Sequence, residues 1–266
     1  METSIQYQGK RISYDICGEG NAIILLHGFI ESRKIWKEFV PELSKEFKVL
    51  AIDLPGHGES EVVADVHSMS FMAEVVNAIM EDEGIANALI VGHSMGGYVS
   101  LAFGEEFPSK VAGIVLFHSQ ASPDSEETKE NRRRTIRIVE QNRAGFIKQF
   151  ISDLFDPKHV DDYKDAIRFL IEEASLMSPA GIIAAISGMK DRKGGLDYLK
   201  AASIPFLFIL GKQDSRIPCK MVFEQASIPS HSEVLILDNV GHMGYFEAPE
   251  ATFQAVRHFA MKCFGL

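Results

Sequence analysis

Two short segments of alternating polar and apolar residues open the chain, around positions 5–7 and 11–16, with Gly9 between them as a turn residue. Alternation then gives way to continuous apolar runs at 22–26, 49–52, 88–91, 111–117, 205–210 and 234–237. A run with no polar face suits a strand covered on both sides, as in a mostly parallel sheet. Helical periodicity fills the intervals at 35–46, 70–83, 95–106, 219–226 and 250–263. Strands alternating with helices predict a three-layer α/β domain.

One region breaks the alternation. From 122 to 202 there is helical patterning and no strand-like run. Phe146, Ile147, Phe150, Ile151, Leu154 and Phe155 recur at helical spacing, as do Tyr163, Ala166, Ile167, Leu170 and Ile171. Ser178 followed by Pro179 predicts an N-cap and first helical position, opening a helix through Ile182, Ile183 and Ile186. The expected organisation is an α/β core from 1–121 and 203–266, with a helical insertion at 122–202.

Composition narrows the function classes. At 266 residues, 46% hydrophobic and 24% charged, the chain resembles an ordinary globular protein. Its net charge of -10 argues against nucleic acid as a partner. The basic run Arg132-Arg133-Arg134 lies among Glu126, Glu127 and Glu130 and reads as a solvated helix face. Cys17, Cys219 and Cys263 form neither a C-x-x-C pair nor a disulfide framework. Residues 1–10 lack the apolar core of a signal peptide, and no stretch approaches membrane-span length. A cytoplasmic setting, a small-molecule substrate and no membrane partner are the expectations; the oligomeric state is left open.

The sharpest chemical signal is Gly92-His93-Ser94-Met95-Gly96, directly after the run 88–91 and directly before a helix. A serine on that tight turn projects its hydroxyl above the sheet edge, and glycines at both ends avoid side-chain clashes. The helix start adds unpaired N–H groups and a positive dipole end, suited to a developing oxyanion. The hydroxyl needs a base, and the base an orienting acid. Among nine histidines, His242 follows the run 234–237 and is flanked by Gly241 and Gly244. Ligand sites of open α/β sheets lie at such strand ends. His118, just after 111–117, is the rival base; His93 adjoins the nucleophile but should point away from it, and His57 sits in a glycine-rich loop.

The acid is placed at Asp214, in Gly211-Lys212-Gln213-Asp214. The order Ser94, Asp214, His242 then puts every member at a strand end. Asp53 is the competing carboxylate, but Asp53-Leu54-Pro55-Gly56-His57-Gly58 reads better as a braced loop. The amides of Phe29, in His27-Gly28-Phe29, and of Met95 are the expected oxyanion donors, and the Phe29 side chain would line the acyl pocket.

On these segments, together with 53–60 (Asp-Leu-Pro-Gly-His-Gly-Glu-Ser), the chain resembles the α/β-hydrolase superfamily over nearly its whole length. The resemblance is to the capped subgroup of esterases, haloperoxidase-like perhydrolases and carbon–carbon bond hydrolases. It implies a sheet of about eight strands with a helical cap inserted after the sixth, the place that 122–202 occupies. Relatives with an aspartate nucleophile, the dehalogenases and epoxide hydrolases, carry Asp where this chain has Ser94.

The leading expectation is a serine hydrolase that cleaves a carboxylic ester of a small, largely apolar substrate through an acyl-enzyme. Two alternatives stand beside it. One is carbon–carbon bond cleavage or elimination by the same triad, with Arg132 to Arg134 or Arg168 as candidate partners for a carboxylated substrate. The other is a non-catalytic ligand receptor on this fold. The apolar stripes of the insertion name Phe150 and Ile183, with Phe29, as candidate substrate-binding residues. No metal or organic cofactor is implied, since the histidines and cysteines show no metal-ligand spacing.

Overall fold

The computed structural model describes residues 2–266. Eight strands form one sheet: β1 (Glu2–Tyr7), β2 (Lys10–Cys17), β3 (Ala22–Leu26), β4 (Lys48–Ile52), β5 (Ala88–His93), β6 (Val111–Phe117), β7 (Phe206–Gly211) and β8 (Ser232–Leu237). Their spatial order is β1-β2-β4-β3-β5-β6-β7-β8. The β2 strand runs antiparallel to β1 and β4, and every other pair is parallel. The runs on β3 to β7 are buried almost throughout, as expected for strands with helices on both faces. The last run differs. On β8, Val234 and Ile236 are 37% and 40% exposed, because this strand ends the sheet and only its other face is covered.

Three helices, α1 (Phe39–Leu43), α2 (Met69–Asp82) and α3 (Met95–Glu106), precede β6. The helix expected over 35–46 is split into a 3-10 turn, Arg33–Trp36, and the short α1. Pro41 lacks the N–H that would bond the carbonyl of residue 37, and its ring crowds that carbonyl, so one continuous helix cannot form. The 3-10 turn delivers Trp36 into the core against Phe39 and Phe117, at ring distances of 5.4 and 5.7 Å.

Between β6 and β7 lie α4 (Glu126–Ser152), α5 (Lys164–Leu176), α6 (Pro179–Lys190) and α7 (Leu196–Ala201). Ser178 caps α6, its Oγ accepting from the Gly181 amide at 3.1 Å, with Pro179 at the first helical position. The long α4 bends at Asn142 (φ -152°, ψ 69°), whose side-chain oxygen takes the Gly145 amide at 3.0 Å in competition with the helix ladder. The short α7 packs back on the core, its Tyr198 lying against Gly104 of α3. After β7 come α8 (Cys219–Ala226), α9 (Gly244–Glu247) and α10 (Pro249–Phe264). Among the described residues no single helix is long and apolar enough to cross a membrane.

Candidate active site

Ser94 sits where β5 turns into α3, with φ 50° and ψ -110°. Such a backbone costs on the order of 1–3 kcal/mol for a non-glycine residue and needs its surroundings to hold it. The Ser94 amide donates to the Phe117 carbonyl at 2.9 Å, and its carbonyl accepts from Ser119 Oγ at 2.7 Å and the Gly97 amide at 3.0 Å. A side chain at Gly92 would run into the Gly96 carbonyl and Ser100 Oγ, which explains the glycine before the turn. Among the described residues the Met95 amide, which opens α3, has no acceptor, and the Phe29 amide has none either. Both are free to serve an oxyanion.

Asp214 follows β7 and is buried at the junction of two loops. Its Oδ1 accepts from the Arg216 and Ile217 amides at 2.8 and 2.9 Å. Its Oδ2 meets His242 Nδ1 at 2.8 Å and, on the same oxygen, His118 Nδ1 at 3.2 Å. Burial opposes ionisation there, but His242 and His118 outweigh it and hold the carboxyl well below its usual range. An ionised carboxylate only accepts, so both rings donate their Nδ1–H to it. His242 therefore presents a bare Nε2. Ser94 and His242 line one cleft of about 370 Å³. No hydrogen bond joins the Ser94 hydroxyl to the imidazole here, a looseness common in such pairs before substrate binds.

The loop that carries His242 is clamped from several directions. Glu247 accepts the amides of Gly241, Met243 and Asp156 at 3.0, 2.9 and 2.9 Å, and the His242 amide donates to the Leu154 carbonyl at 2.7 Å. His242 is thus tied to the middle of the insertion, just past α4, as well as to the sheet.

The other candidates take different places. His93 points away from the cleft: its Nδ1 bonds Glu31 at 2.9 Å and its Nε2 the His242 carbonyl at 3.0 Å. Burial works against a charge on this ring, yet Glu31 overcomes it and raises its pKa, while Glu31 itself is lowered despite burial. A buried His93–Glu31 pair thus lies next to His242. Glu31 also takes the Gly28 amide at 2.6 Å and the Tyr245 hydroxyl at 3.0 Å, so one carboxylate braces both the Phe29 loop and the His242 loop. Sequence reasoning missed Glu31, since no motif marks it. The rival base His118 is fully buried with no atom in the cleft lining, and the rival acid Asp53 is paired with Arg33 and accepts the Arg33 and Glu59 amides. His57 is buried in its loop, with Nδ1 on the Pro55 carbonyl at 3.1 Å.

Two expectations about the cleft are corrected. Ile183 is only packed against the core, whereas Ile186, nearly one turn on, lines the cleft with Phe29 and Phe150. The docking angle of α6 turns Ile186 inward, and periodicity alone does not give that angle. Arg132 is not part of a solvated face: it lines the cleft, with its guanidinium held by Asp124. Arg133 pairs with Glu130 at 3.0 Å and Arg168 with Asp165 at 2.8 Å, both in exposed positions. A second cleft arginine, Arg216, was not anticipated; it stacks over Phe150 at 4.6 Å, two residues after Asp214. The lining is therefore mixed, with apolar rings beside two guanidiniums.

Ligand atoms of His118, Asp214 and His242 lie within 4.8 Å of one another, near enough to suit a metal ion by distance alone. An ion there would have to displace both ring protons from the shared oxygen.

The profile of the family described as "alpha/beta hydrolase fold" matches residues 21–249. The chain belongs to the α/β-hydrolase family. Among solved structures, a thermophilic esterase from Thermogutta terrifontis superposes on this α/β hydrolase with a TM-score of 0.93 and 31% identity, covering 99% of each chain. The pimeloyl-[acyl-carrier protein] methyl ester esterase of Yersinia enterocolitica is 26% identical over 95% of this chain and 98% of its own. A dihydrolipoyllysine-residue acetyltransferase component of an acetoin cleaving system from Pseudomonas putida is 30% identical over 94% of this chain, which spans 66% of that longer protein.

Proposed function

We propose that this α/β hydrolase cleaves a carboxylic ester or related acyl bond of a small, largely apolar substrate, with Ser94, His242 and Asp214 as its triad. The observation that carries the reading is the pinned Asp214–His242 pair at 2.8 Å, which leaves the Nε2 of His242 as the basic atom in the cleft that holds Ser94. Ser94 attacks the carbonyl carbon as His242 takes the hydroxyl proton. Asp214 holds the imidazole tautomer and stabilises the imidazolium. The Phe29 and Met95 amides receive the oxyanion, His242 returns its proton to the leaving alcohol, and water then releases the acyl group by the same route. The esterase names of the Thermogutta and Yersinia relatives support ester chemistry.

A fluorophosphonate probe should label Ser94, and Ser94→Ala should lower kcat on p-nitrophenyl esters by about 10⁶, the loss of a triad serine in a protease. Labelling at another residue, or near-normal turnover by Ser94→Ala, would remove the assignment.

Carbon–carbon bond hydrolysis remains the second reading because Arg216 places a guanidinium in the cleft, paired with Asp153 only at 3.7 Å. Turnover of a carboxylated diketone without turnover of simple esters would favour it.

A further inference from the structure

The acid of the triad is shared. His118 comes from the end of β6 and His242 from the loop after β8, yet both rings reach the same oxygen of Asp214. His118 is wholly buried, its backbone is held at φ 45°, and its Nε2 has no hydrogen-bond partner among the described residues. Packing constrains the ring: a side chain at Gly244 would strike His118 Nε2, while one at Gly211 would run first into the Gly241 and Val240 carbonyls and meet the ring at 3.0 Å. The fold keeps Gly244 bare beside an imidazole whose one polar side-chain bond among the described residues is to the catalytic carboxylate. A residue serving packing alone would not need a nitrogen there, and a buried nitrogen without a partner costs stability.

We propose that His118 is a positioning residue that acts through Asp214. It fixes the rotation of the carboxylate so that Oδ2 stays in line with His242 Nδ1, and it draws electron density from that oxygen. This proposal rests on the triad reading above. The physical consequence concerns the imidazolium that His242 becomes during acyl transfer. Asp214 stabilises that cation through Oδ2, and a second donor on Oδ2 weakens the stabilisation. His242 then gives its proton back to the leaving alcohol more readily.

Other charges near the cluster have their own partners. His93, at 5.0 Å from the His242 ring and 6.3 Å from the His118 ring, pairs with Glu31, and the Tyr245 hydroxyl donates to the other oxygen of Glu31. Glu247 is bound to backbone amides, including that of Asp156. On the cleft side, the guanidinium of Arg216 faces Phe150 and, at 3.7 Å, Asp153. Burial pushes the His118 imidazole down to about 4, so it stays a neutral donor across the working range. Among the described residues only His118 and His242 share Asp214 Oδ2.

The test compares His118→Leu, which has no donor, with His118→Asn, which carries an N–H near the place of Nδ1 and tolerates a positive φ. Each is assayed for kcat and kcat/KM against pH on a p-nitrophenyl ester, and wild-type protein is examined by ¹⁵N NMR of its histidines. For His118→Leu the acid limb of the profile should move up by about 0.5–1 pH unit, the scale of one net hydrogen bond, and kcat should fall about tenfold. His118→Asn should recover most of both. The wild-type spectrum should show His118 as the neutral Nδ1–H tautomer. Equal losses in both variants with an unmoved acid limb would reduce His118 to a packing residue, and an Nε2–H tautomer would overturn the proposal without any variant. If wild-type protein turns over no ester, the triad reading fails instead, and the tautomer measurement still decides the role of His118.

Discussion

A carboxylate at a strand end can be a catalyst or a brace; the proposed function makes Asp214 the first and Asp53 the second, and their partners differ accordingly. Asp214 receives two imidazole N–H groups and two amides, all from residues around the cleft or the loops beside it. An amide in its place would present one oxygen to two ring donors and could leave His242 in the wrong tautomer. Asp214→Asn should therefore lower kcat by about 10⁴, as in the protease triad, with little change in substrate binding. Asp53 instead neutralises Arg33, which is buried. Asp53→Asn should cost roughly 1–3 kcal/mol in a urea melt, because it removes the one fully buried carboxylate beside Arg33 and leaves the more exposed Glu2, Asp15 and Glu59 to pair it, while the folded fraction keeps its kcat within a few fold. The opposite pattern, activity lost at Asp53 and kept at Asp214, would exchange the two assignments.

The elements of the insertion shape the cleft more than they shape the chemistry. Phe150 of α4 meets the Phe29 ring edge-on at 5.5 Å and carries the Arg216 guanidinium on its own face. Phe150→Ala should open space beside the acyl site and shift preference along a p-nitrophenyl ester series toward longer chains. Discrimination of about 10–200-fold is the scale for one methylene of fit. Ile186→Ala should act in the same direction, and Ile183→Ala should leave the chain-length profile in place, since only Ile186 lines the cleft. An unchanged profile in both Phe150→Ala and Ile186→Ala would make the insertion a lid and return specificity to the loops of the sheet. Arg216→Gln tests the charge in the cleft. The ratio of kcat/KM for an ester with a terminal acyl carboxylate to that for a neutral one should fall about tenfold, near the low end for a charge-assisted hydrogen bond.

At the scale of the whole molecule, buried histidines govern the acid side of stability. Burial lowers His27, His57, His67 and His118, the last two to about 4. In the unfolded chain these rings protonate near the ordinary value of about 6.5. As pH falls from there toward 4, the unfolded state takes up more protons than the folded one, and stability is lost. His93 runs the other way, because Glu31 raises it: its contribution is present at low pH and lost as pH rises through its folded value. Four rings against one leave a net loss on acidification. Asp214 and Glu31, both lowered, add their own losses only below the ordinary carboxylate range. The urea midpoint should therefore drop steadily between pH 7 and 4.5, and a midpoint that held constant or rose would show that the histidines do not carry the acid response.

Local patterning and chain order were enough to determine the architecture. Apolar runs wide enough to bury both faces marked six strands, and the glycines around Ser94 marked the turn, because each depends on neighbours close in sequence. The order Ser94, Asp214, His242 was readable for the same reason, each lying just past a recognisable strand. Tertiary structure alone decided the rest. His118 and Asp214 are 96 positions apart, and Tyr245 and Glu31 are 214 apart, so no local pattern brings them together. Helical spacing named both Ile183 and Ile186, but only the angle at which α6 docks chose between them. Exposure on β8 depended on the absence of a further strand beyond it, and the place of Arg132 on the way α4 lies across the cleft. Periodicity tells a residue's face on its own element; what that face meets is set by contacts between segments far apart in the chain.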